Sequence, residues 1–159
     1  MKSRFLIGPV LLALVGALAL AGTSLAGNGH GHGQRHGNGH GRTLFSVLKG
    51  RNEVGTAGDP DGVGSANVLI HSADTVCYGV SVSGIATPTE AHIHRGKRNE
   101  NGPHVVTLTF PSSGDPGASS GCATGLSSSL VTEIREHPGR FYINIHTAEF
   151  PQGALRGQL

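Results

Sequence analysis

Three histidines carry the chemistry most legible in this chain. His92 and His94 stand two apart in Ala91-His92-Ile93-His94-Arg95-Gly96, a segment that alternates like a strand. Alternate side chains of a strand project from one face, so the two imidazoles share a face. His146 lies in a second strand-like segment, Phe141 to His146, and meets the pair only if the fold pairs the two strands. Three imidazoles can hold Zn²⁺ or Cu²⁺ and leave one position open for water. Glu90 joins the same face at period two, as a carboxylate ligand or as an acceptor behind a ligating ring. Protons compete for imidazole, so occupancy is expected to fall with a midpoint near about pH 6 to 7.

The same residues have a structural reading. A ring N–H bonded to a backbone carbonyl fixes strand ends, and Thr147 or Asn144 would complete such a network. Arg95 and Arg156, if close, oppose a bound cation. A catalytic reading finds no complete set. The chain has no G-x-S-x-G elbow, P-loop or dinucleotide fingerprint, and the serines of Ser112 to Ser129 mark loops. Gly58-Asp59-Pro60-Asp61-Gly62 lacks the spacing of a calcium loop and reads as a turn. Arg95, Lys97 and Arg98 beside Glu100 read as a solvated loop. No catalytic residue is assigned.

The elements that must position these groups begin after a leader. Met1-Lys2-Ser3-Arg4 is a basic start, Phe5 to Leu20 is apolar, and Ser24-Leu25-Ala26 fits a cleavage site, so residues 1–26 read as a signal peptide. The apolar run holds Gly8, Pro9 and Gly16 and falls short of the roughly 20 residues of a membrane span. The expected product is secreted or periplasmic and not membrane-spanning. Without Lys2 and Arg4, ten basic side chains face ten acidic ones, so the pI of 8.8 owes much to the leader. A neutral chain without a basic stripe argues against nucleic acid. Residues 27–42, GNGHGHGQRHGNGHGR, contain no apolar side chain and are expected to be disordered. Their His30, His32, His36 and His40 make a weak tether for copper, nickel or zinc, or an incidental feature of a soluble spacer.

Cys77 and Cys122 are the only cysteines. In an exported chain an even count favours one disulfide, which would stabilise the fold by about 4 kcal/mol on the chain-entropy model. From residue 43 to 159 the pattern is period two broken by turns. Strands are expected at Thr43 to Leu48, Ser65 to His71, Thr75 to Ile85, the segment after Pro88, Val105 to Phe110, Phe141 to His146 and Ala154 to Leu159. Pro111 to Ser120 reads as a polar loop. One helix is expected at Ser127 to Glu136, capped by Ser128 or Ser129 and ended by Pro138-Gly139. This predicts an all-β antiparallel sandwich or Greek-key barrel of about 7 to 8 strands with one short helix. With 4% aromatic residues and no Trp, its core must be built of Val, Ile, Leu and Ala.

The blocks Arg51-Asn52-Glu53-Val54, the Cys77 strand, Ala91 to Gly96, Asn101-Gly102-Pro103 and Phe141 to Leu159 closely resemble the CHRD domain, over about Leu44 to Leu159. The resemblance implies an all-β extracellular module. In chordin such modules belong to a protein that sequesters growth factors, and single-domain bacterial members carry a signal peptide and one cysteine pair. His104 falls where many relatives carry an aliphatic residue. The resemblance, together with the lack of any complete catalytic set, points to a binding or interaction module without catalysis, with an extracellular protein or surface ligand as partner. The alternative is an exported copper- or zinc-binding protein using His92, His94 and His146. The order His92-Ile93-His94, Gly102-Pro103-His104, His146 is also similar to copper-zinc superoxide dismutase. The spacing is shorter here, and no histidine cluster with a following aspartate supplies a second site.

Overall fold

A computed structural model describes residues 41–159. The leader assigned to 1–26 and the tail histidines His30, His32, His36 and His40 lie outside the described residues. Eight strands follow in order: β1 (Thr43–Lys49), β2 (Val63–Ile70), β3 (Val76–Ser83), β4 (Pro88–Arg95), β5 (His104–Leu108), β6 (Gly117–Ala123), β7 (Phe141–Thr147) and β8 (Leu155–Gln158). The helix α1 (Ser128–Glu136) lies between β6 and β7. Gly41 and Arg42 already bond through their backbone to Ile70, so ordered pairing starts ahead of the expected first strand.

All strand pairs are antiparallel and form one sheet in the order β5-β4-β7-β8-β1-β2-β3-β6. The sheet curls into a nearly closed barrel whose edge strands meet through side chains. At that seam the Thr109 N–H donates to Tyr78 Oη at 2.7 Å, and Ser119 Oγ donates to the Thr109 carbonyl at 2.7 Å. Side chains thus replace the missing ladder of backbone bonds.

The expected period-two faces are present. Val76, Tyr78, Val80 and Val82 point inward from β3, while Ala91 and Ile93 of β4 stand beside Ile145 and Ile143 of the neighbouring β7, all buried. Burial of such Val, Ile and Leu side chains stabilises by about 1.5–3 kcal/mol each, and supplies most of the driving force. Helix α1 adds Val131 and Ile134 to the same core.

Two expectations need correction. Residues 117–123, partly read as loop, form β6 and pair with β3 along their whole length. Its small side chains give no apolar alternation, so burial could not announce it. The helix is capped by Ser127, whose Oγ accepts from the Leu130 N–H at 3.3 Å, and not by Ser128 or Ser129. Cys77 and Cys122 stand directly opposite in the β3–β6 pairing and form a disulfide. Gly58 to Gly62 is a turn, with Asp59 Oδ1 accepting from the Asp61 and Gly62 N–H groups, both at 3.1 Å.

Candidate metal centre

β4 and β7 are neighbours, so the fold brings His146 to the His92–His94 pair. With Ala91, Ile93, Ile143 and Ile145 inward, the alternate residues Glu90, His92, His94, Tyr142, Asn144 and His146 occupy the outer face. His92 pairs with Asn144, His94 with Tyr142 and Glu90 with His146. Ring centroids are 5.7 Å apart for His92–His94, 5.5 Å for His92–His146 and 6.2 Å for His94–His146. One ring nitrogen from each lies within 4.8 Å of the other two. Nitrogens sharing one ion sit roughly 3 to 3.5 Å apart, given Zn–N near 2.0–2.1 Å. The spacing is wider than that and well short of the separations beyond about 8 Å that would require remodelling the sheet.

Two of the rings are pinned. His94 Nδ1 faces the Gly102 carbonyl at 2.9 Å, and His146 Nδ1 faces the Pro151 carbonyl at 3.1 Å. A ring nitrogen facing a carbonyl must carry a proton, so in the neutral ring each Nε2 holds a lone pair. Both Nε2 atoms are buried without a hydrogen-bond partner. Buried polar atoms are normally satisfied, and two orphaned acceptors in one place call for a donor or a cation. Ligating histidines are held in this manner, with the second N–H bonded to a carbonyl.

Local folding explains both anchors. Gly102 lies against Arg95, where a Cβ would meet the Arg95 carbonyl oxygen at 1.8 Å, so the close approach admits only glycine. Its N–H also donates to Tyr142 Oη at 3.3 Å. Pro151 belongs to the β7–β8 turn, in which the Phe150 N–H donates to Thr147 Oγ1 at 3.1 Å.

The surroundings of His92 and His94 favour the neutral imidazole. Burial pulls His94 down to about 4, with the neighbouring imidazoles adding to the effect against the bond to Gly102. Burial also lowers His92, helped by His146 and His104 and countered by Glu90. Glu90 stands with a carboxylate oxygen 3.9 Å from His92 Nε2. Both arginines are engaged by other groups. Arg95 pairs with Glu133, and Arg156 stacks on Tyr142 while donating to Asn101 Oδ1 and to the carbonyls of Lys97 and Glu100. Lys97 also pairs with Glu100, at 4.0 Å.

Three participants were not foreseen. His104, set aside in the sequence, stacks on His92 with centroids 4.8 Å apart. A bulge between Ile93 and His94 shifts the β4–β5 register and places His104 opposite His94. Glu53 accepts from Asn144 Nδ2 at 3.2 Å, and burial pushes its carboxyl up to about 7, against the pull of Asn144 and Arg156. Arg156, only 1% exposed, was read merely as a nearby charge. Glu53 and Asn144 are 91 residues apart, so only a topology with β7 beside β8 could have joined them.

Among the described residues no second group of metal-ligating side chains was found, so a paired copper and zinc arrangement draws no support. No helix among them is long and apolar enough to cross a membrane. The family model of the CHRD domain matches residues 44–159. Comparison with curated proteins and with solved structures gives no match.

Proposed function

Because the chain belongs to the CHRD domain family, we propose that it is an exported binding module without catalytic activity, whose own ligand is a copper or zinc ion held by His92, His94 and His146. The family supports the binding role. The observation that carries the metal is the pair of imidazoles pinned through Nδ1 on adjacent strands, with buried and unpartnered Nε2 atoms. Imidazole nitrogens are borderline donors that select zinc and copper over calcium or magnesium. A disulfide supports an oxidising compartment outside the cytoplasm. The tail histidines His30, His32, His36 and His40 gather the same ions loosely. The domain then presents the ion to an extracellular protein or surface ligand.

Metal analysis at neutral pH tests this, on the full chain with the four tail histidines replaced by alanine. One Zn²⁺ or Cu²⁺ per chain is expected, lost on His146→Ala. Binding by the tail alone, or turnover of a substrate lost on His92→Ala, would overturn the reading.

A further inference from the structure

Asn144 sits at the middle of the histidine face. It pairs directly with His92 across β4 and β7, and His146 and Tyr142 flank it at period two on its own strand. Its side chain is 4% exposed, and its Oδ1 is buried without a partner. The amide cannot be turned over freely. Asn144 Nδ2 donates to Glu53 Oε2 at 3.2 Å, and wherever Glu53 is ionised the opposite orientation would set the amide oxygen against a group that can only accept. The bond to Glu53 therefore directs Oδ1 to the other branch of the amide, away from that carboxylate.

A cleft of about 190 Å³ lies at this place, lined by His94, Gly102, Tyr142, Asn144, His146 and Pro151. The orphaned atoms of His94, His146 and Asn144 around it are all acceptors. A water needs space and polar partners, and this cleft offers both. Three imidazoles leave the fourth position of a tetrahedral ion open. An asparagine side chain is shorter than a histidine, so its oxygen lies nearer the sheet than the Nε2 atoms do. It reaches a water on the ion more readily than the ion itself.

We infer that Asn144 is a positioning residue for a metal-bound water, its carbonyl oxygen accepting from the water in the fourth coordination position while Glu53 locks the amide. The position is exchangeable and faces the cleft, which gives the centre a place for a small ligand that can replace the water and donate to Asn144. This inference rests on the metal reading above and adds the identity of the fourth group.

The test uses the full chain with His30, His32, His36 and His40 replaced by alanine, loaded with Zn²⁺ for affinity and with Cu²⁺ for electron–nuclear double resonance. The parent is expected to show the strongly coupled exchangeable protons of a bound water. Asn144→Leu should lose that signal and bind Zn²⁺ about ten-fold more weakly, in the range typical of groups behind a metal's ligands. Glu53→Gln, whose amide can donate to Oδ1 and turn the group over, should weaken the same signal, and it answers the question if Asn144→Leu does not fold. A loaded parent without strongly coupled exchangeable protons, or variants unchanged in both readouts, would overturn the inference and leave the metal reading standing. A parent that takes up neither ion would overturn both.

Discussion

Tyr142 lies flat against His94, their ring centroids 4.8 Å apart and their planes 14° from parallel. From β8, on the other side of β7, the Arg156 guanidinium covers the same phenol ring at 3.4 Å from its centroid. The stack ties three strands to the loop that holds Gly102, because Arg156 also donates to Asn101, Lys97 and Glu100. The face that carries the histidines is therefore braced by a buried cation that never meets them directly.

Arg156→Met should lower stability by about 3 kcal/mol, because it strips three acceptors of their donor. Urea denaturation of the metal-free chain reads this. Zn²⁺ affinity should fall as well, since the loop would no longer hold the Gly102 carbonyl on His94. A stability unchanged within about 0.5 kcal/mol would remove the bracing role.

Gly102→Ala tests the anchor itself. A methyl group there meets the Arg95 carbonyl, so the loop must shift and the His94 Nδ1 bond must lengthen or break. Isothermal titration should show weaker Zn²⁺ binding by about ten-fold or more, on the scale of other anchoring losses. Equal affinity would mean that the carbonyl does not orient the ring.

Replacing Cys77 and Cys122 together by alanine should cost about 2–4 kcal/mol, since a loop of 45 residues is no longer closed in the unfolded chain. β6 is an edge strand of the sheet, so its amides should lose hydrogen-exchange protection first. Uniform loss of protection across all strands would contradict a local clamp.

How much of this was legible in the sequence depends on the distance between partners. Alternation alone exposed the β4 face, because His92, His94 and the inward Ala91 and Ile93 differ in polarity at period two. The disulfide was legible from compartment and count. β6 was not, because Gly117 to Ala123 is built of small residues that bury little on either face. Cys122 was the available signal, since a residue bonded to Cys77 has to lie beside β3. Asn144 was named as a member of a histidine network, but its partner Glu53 comes from the turn after β1. Nothing local joins them. His104 was discounted by comparison with relatives, and a bulge that no local pattern announces brought it onto His92.

Acid titration of the metal-free chain should reveal two opposed slopes. The unfolded reference is 6.5 for His94 and 4.5 for Glu53, against about 4 and about 7 in the fold. His94 contributes stability at neutral pH that is lost as pH falls from 6.5 through about 4. Glu53 contributes stability below 4.5 that is lost as pH rises through about 7. Between 4.5 and 6.5 folded and unfolded chains bind nearly equal numbers of protons at this pair, so their slopes cancel. Glu53→Gln removes one slope, and stability should then fall by up to about 2 kcal/mol more than in the parent on acidification, after discounting for solvent screening. Parallel curves for parent and variant would contradict these environments.

The most direct measurement is anomalous scattering at the zinc edge from crystals of the Zn²⁺-loaded chain. The account predicts one peak on the outer face of β4 and β7, about 2.0–2.1 Å from one ring nitrogen each of His92, His94 and His146. A domain without a peak there, or with the ion held by other side chains while these three rings keep their present separations, would contradict it.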